Sequence, residues 1–114
     1  MYLNTNNLES EIQPIGVTIV DFYADWCNPC KILSPILDKI ESNGLAKIIK
    51  VNTEQYPDIA QQHSINSLPT MHFYKDGKFI EDKIGVYPKD KIEAIIDSLW
   101  PNQKNSYGTN FGWM

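Results

Sequence analysis

The chain has 114 residues, 42% apolar and 21% charged, which suits one compact domain with a hydrophobic core and leaves no room for a second. Ten basic residues against fourteen acidic ones give a net charge of −4 with no basic run, so nucleic acid is not an expected partner. No apolar stretch approaches the roughly 18 residues that span a bilayer, and the opening residues are too polar for a secretory leader, so a cytoplasmic protein without membrane contact is expected.

The first dozen residues are weakly patterned, with a short helix over 6–12 the only candidate element. Val17–Tyr23 (VTIVDFY) is β-branched and aromatic, a buried strand interrupted by one acid, Asp21. After the two cysteines, Leu33, Ile36, Leu37 and Ile40 recur at helical spacing until Asn43 and Gly44 stop the helix. Residues 46–51 form a second strand, so the first half reads strand, helix, strand, the pattern of a parallel pair with a crossover. A short helix over 56–63 follows. Strands over 70–74 and Lys78–Ile84 then flank Asp76-Gly77, a dipeptide that favours a tight antiparallel hairpin. Pro88 opens a final helix with Ile92, Ile95, Ile96 and Leu99 on one face. The domain is expected to cover 1–100, with 101–114 (PNQKNSYGTNFGWM) a flexible polar and aromatic tail.

Cys27-Asn28-Pro29-Cys30 lies between the first strand and the first helix. A helix start offers unpaired N–H groups and partial positive charge, which stabilise an anion. Cys27 is therefore expected to be the attacking thiolate. Cys30, one turn on and facing inward, would be the buried resolving thiol. Pro29 gives up an N–H that the helix start does not use, and the two-residue spacing lets the sulfurs close a disulfide. Three other readings stand beside this one. Half a zinc site lacks a second C-x-x-C, and His63 and His72 are too far apart in sequence for the usual H-x3-5-H spacing. Inert core cysteines are another reading. A purely structural disulfide is the third, although so short a loop constrains little of the unfolded chain.

The stretch from Val20 through Asp21, Trp26, Cys27 and Cys30 to Lys31 resembles the active-site segment of thioredoxins. The likeness continues through Pro35, the family's helix-kinking proline, through Leu68-Pro69-Thr70, which matches its cis-proline segment, and through Gly85 of its substrate-facing loop. The resemblance covers about residues 15–100. It implies the thioredoxin fold, an α/β domain whose central mixed sheet carries helices on both faces. Asp21 becomes the buried carboxylate that takes the Cys30 proton during resolution, against the alternative of an edge-strand acid facing water. Lys50 becomes its neighbouring lysine, against a solvated surface lysine. Trp26, Asn28, Pro29, Leu68, Pro69 and Gly85 form the substrate-binding surface, with Trp26 otherwise plain core, Pro69 otherwise a trans turn proline, and Leu68 able to pair with an extended client strand.

The resemblance also implies a redox-active Cys27–Cys30 disulfide with no bound cofactor. The partners it implies are disulfide-containing client proteins and a thioredoxin reductase drawing on NADPH. A monomer is the simplest expectation. Asn28 stands where most of the family has glycine, which leaves the potential open, and Tyr23 replaces a common tryptophan. Position 29 carries no histidine of the kind found in strongly oxidising relatives, so a reductant is expected. The rival functions are a disulfide oxidase or isomerase and a non-catalytic docking module. A glutaredoxin is disfavoured because no Gly-Gly pair follows the Pro69 segment.

Overall fold

A computed structural model describes residues 1–100, and the tail expected over 101–114 lies outside the described residues. Four strands, β1 (Val17–Tyr23), β2 (Lys47–Asn52), β3 (Thr70–Lys75) and β4 (Lys78–Ile84), alternate with α1 (Asn28–Ser42), α2 (Pro57–Gln62) and α3 (Lys89–Ser98). They form one sheet in the order β2-β1-β3-β4. β1 is parallel to β2 and antiparallel to β3, and β3 and β4 make an antiparallel hairpin. The four expected strands and the three helices expected after the first strand are therefore present, with ends differing by a residue or two. No helix among the described residues is long and apolar enough to cross a membrane.

β1 is apolar on both sides because both of its sides are covered. Val17 and Ile19 join Ile48, Met71 and Phe73 beneath Leu33, Leu37 and Ile40 of α1 and Ile92 and Ile96 of α3. Val20 and Phe22 point the other way, with Ile49, Val51 and Tyr74, onto Tyr56, Ile59 and the N-terminal Leu3 and Leu8. Phe73 is fully buried, and truncation of such a ring to alanine costs roughly 3–5 kcal/mol. The hairpin turns through Asp76 and Gly77, both at positive φ (53° and 83°), the pairing that a two-residue turn of the expected kind requires. Asp76 also ties the hairpin to the start of β1, its Oδ1 accepting the Gly16 N–H at 2.8 Å.

The helix expected over 6–12 is replaced by one 3₁₀ turn, Glu9–Glu11. Asn7 competes locally for the backbone, its Oδ1 accepting the Ser10 N–H at 3.2 Å. Residues before it run along the free side of β2, where Tyr2 bridges Lys50 in parallel. Two hydrogen bonds fix this, Leu3 N–H to Lys50 O at 2.8 Å and Lys50 N–H to Met1 O at 2.7 Å.

Candidate functional site

β1 delivers the chain to α1 through the four residues Ala24, Asp25, Trp26 and Cys27, and Cys27 is the last before the helix. It caps the helix in an extended conformation (φ −87°, ψ 108°), and its sulfur accepts the Cys30 N–H at 3.2 Å. A sulfur placed there sits on the positive end of a four-turn helix. Cys27 and Cys30 are joined as a disulfide with Cα atoms 5.3 Å apart. Both are almost wholly enclosed, at 4% and 3% exposure. In this oxidised state burial alone does not set an outer thiol apart from an inner one. Surroundings separate them instead: Cys30 lines a cavity beneath the helix, and Cys27 does not.

That cavity, about 160 Å³, is bounded by Asp21, Tyr23, Cys30, Ser34, Lys50 and Tyr2 among others. Asp21 is 1% exposed on the central strand, so it is no edge acid. The side-chain alternation of β1 puts it on the α1 face, beyond Ile19 and under the cysteines. Its Oδ1 has no hydrogen-bond partner among the described residues. Burial pushes its carboxyl up to about 7, the Lys50 charge opposing and the Asp38 charge adding to the rise. A carboxylate so tuned can hold and release a proton near neutrality.

Lys50 lies directly across from Asp21 in the β1–β2 register. It is 4% exposed, not a solvated surface lysine. Its ammonium turns to α1, donating to Ser34 Oγ and Asp38 Oδ1, each at 2.6 Å. Ser34 and Asp38 were not among the residues that the sequence singled out. Their spacing of four on a helix was the available signal, but it also fits an ordinary solvent face.

Around the disulfide the other expected residues divide into an exposed rim and a packed floor. Trp26 is 67% exposed, so it is surface and not core; Asn28 and Pro29 are exposed on the first turn of α1. Leu68 packs against Ala24, Cys27 and Cys30. The Leu68-Pro69 peptide is cis. Gly85, at φ 97°, donates its N–H to Pro69 O at 2.9 Å, which joins the end of β4 to the proline segment. Pro35 lies inside α1, exposed, where its missing N–H faces the carbonyl of Lys31. His63 and His72, distant in sequence, meet edge to face with ring centroids 5.7 Å apart on the opposite side of the sheet. Among the described residues no three His, Cys, Asp or Glu side chains converge to hold a metal ion.

The thioredoxin family model matches residues 1–98. Thioredoxin 1 of Synechococcus elongatus is 38% identical over 92 residues, covering 79% of this chain and 82% of that protein. A thioredoxin of Chlamydia caviae is 37% identical over 83 residues, or 72% of this chain and 81% of its own length. Among solved structures, a mutant thioredoxin from Halobacterium salinarum superposes with a TM-score of 0.80 at 26% identity, covering 87% of this chain and 88% of that one. A dithiol that closes at a helix start is what such a domain needs for thiol–disulfide exchange, and with this match along the whole domain the chain belongs to the thioredoxin family as a thiol–disulfide oxidoreductase.

Proposed function

We propose that the chain works as a protein disulfide reductase, with Cys27 as nucleophile, Cys30 as resolving thiol and Asp21 as the base that serves Cys30. The observation that carries this reading is the shared cavity of Asp21 and Cys30 beneath a helix capped by Cys27. In the reduced protein, the Cys27 thiolate attacks one sulfur of a client disulfide. The client S–S bond breaks, the departing sulfur leaves as a thiolate that takes up a proton, and a mixed disulfide forms on Cys27. Asp21 then accepts the Cys30 proton, the Cys30 thiolate attacks Cys27 Sγ, and the second client sulfur departs. Two electrons pass to the client, and Cys27 and Cys30 end joined.

Trp26, Asn28, Pro29, Leu68, Pro69 and Gly85 would receive the client. An extended client strand laid beside Leu68 would pair with backbone next to the sulfurs. Lys50 and Pro35 would act as supports, one beside the base and one within the helix. Residues 1–100 would be the redox domain, acting as a monomer in the cytoplasm with the disulfide as its only redox group. Clients would be disulfide-containing proteins, and a thioredoxin reductase would return the electrons.

Two measurements test this. Equilibration in defined thiol buffers should give a reduction potential below the cytosolic glutathione poise; a clearly higher value would make the protein an oxidase or isomerase. Cys30→Ser should accumulate a client adduct on Cys27 by mass spectrometry. An adduct that forms only with Cys27→Ser would reverse the two roles.

A further inference from the structure

Asp21 and Lys50 are paired across β1 and β2 and share one cavity, which is the arrangement for a buried ion pair. Yet the ammonium donates to Ser34 and Asp38, and the Oδ1 of Asp21 has no hydrogen-bond partner among the described residues. An ammonium has three N–H donors, and α1 takes two of them. The backbone on both sides holds Lys50 in place, because the Tyr2 bridge pins its main chain and the Tyr2 ring lies 5.2 Å from Nζ.

We propose that Ser34 and Asp38 are positioning residues for the redox centre: they draw the Lys50 ammonium onto α1 and so keep it from hydrogen-bonding Asp21, leaving that carboxyl able to take up a proton. A hydrogen bond from a cation holds a carboxylate in its charged form and weakens it as a base. The same lysine, 4% exposed and left unanchored, would turn to the nearest uncompensated oxygen, since a buried charge without partners is costly. Ser34 and Asp38 satisfy it elsewhere. Asp38 is 61% exposed, so water shares the burden of its charge. The other polar groups around the cavity are Tyr2 on the N-terminal segment, Tyr23 and Asp25 at the end of β1, and Lys31 and the disulfide on α1. Met71, across from Asp21 on β3, adds none.

The inference rests on the reading of Asp21 as the base for Cys30, but its test does not. The Asp21 carboxyl carbon can be titrated by NMR in the intact oxidised chain, where no client or turnover is involved. Asp38→Asn should move the Asp21 midpoint toward acid by about one pH unit, and Ser34→Ala should move it the same way by less. Loss of the Asp38 charge alone also acts in this direction, so the decisive comparison repeats Asp38→Asn in a Lys50→Met background. The shift should be clearly smaller there, because the lysine that would swing is gone. Equal shifts in both backgrounds, or no shift in either, would overturn the proposal. A merely structural role would lower stability without moving the midpoint. If the midpoints move as expected while Asp21→Asn leaves the resolution rate unchanged, the positioning stands and the catalytic role of Asp21 falls.

Discussion

Asp21 on β1 and His72 on β3 are both buried, and each carries a polar atom without a hydrogen-bond partner among the described residues, Oδ1 in one and Nδ1 in the other. They face opposite sides of one sheet. Asp21 opens onto a cavity that holds Cys30, Lys50 and Ser34. His72 is packed among rings, with Phe22 and Phe79 each 5.0 Å away edge-on and His63 at 5.7 Å. Desolvation acts on both, and in opposite senses: it raises the acid and lowers the base. An unsatisfied buried group is therefore no sufficient mark of function. What distinguishes Asp21 is space beside it and a reacting atom on the far wall of that space.

The largest effect expected from breaking this comparison is on stability. Folded Asp21 keeps its proton up to about 7, whereas the unfolded chain releases it at the ordinary value of 3.8. Stability contributed by the neutral acid is thus full below the lower value, declines as pH rises between the two, and is level beyond. Asp21→Asn removes the decline. In denaturant melts its advantage over the parent should grow by on the order of 4 kcal/mol from acid to mildly alkaline pH, and a constant difference would mean that Asp21 ionises freely.

Next in size is the kinetic cost of the same substitution. Attack by Cys30 on a preformed mixed disulfide should slow by about a hundredfold, as expected for loss of a positioned base, while the first attack by Cys27 changes little. Equal single-turnover rates for variant and parent would remove Asp21 from the mechanism.

The smallest effect belongs to the other face. Burial holds His72 below its ordinary 6.5, with His63 adding to the fall and Asp82 opposing it. On acidification the unfolded chain takes up this proton first, so the histidine destabilises the fold as pH drops below the ordinary value and has no such effect above it. His72→Phe, which keeps a ring in the edge-on cluster, should flatten the acid side of the stability profile and leave the Cys30 step unchanged. A slowed Cys30 step would show that the two faces are coupled.

Most of the fold was legible because each element carries its own local signal. Val17–Tyr23 is a run of strand formers, Leu33, Leu37 and Ile40 share a helix face, and Asp76-Gly77 is a turn by its chemistry. The cysteines and Asp21 were legible too, one by spacing and the other as an acid where an apolar residue belongs. What escaped depends on how elements sit on one another. Ser34 and Asp38 become partners of Lys50 only because α1 lies across β2 at one rotation. The edge-to-face contact of His63 and His72 arises where the end of α2 meets β3, and nothing in either segment announces the other. The N-terminal bridge rests on two backbone hydrogen bonds, which leave no trace in side-chain pattern.

Sheet order has one more consequence. β1 has a hydrogen-bonded strand on each side and side chains covered above and below, so its amides open to solvent only when the domain as a whole unfolds. β4 has one neighbour, and its side chains are largely exposed. The amides of β1, which carries Asp21, should therefore exchange more slowly than those of β4, which a hydrogen-exchange time course would show. Asp21 is thereby carried on a strand flanked on both sides, and Gly85 follows one flanked on a single side.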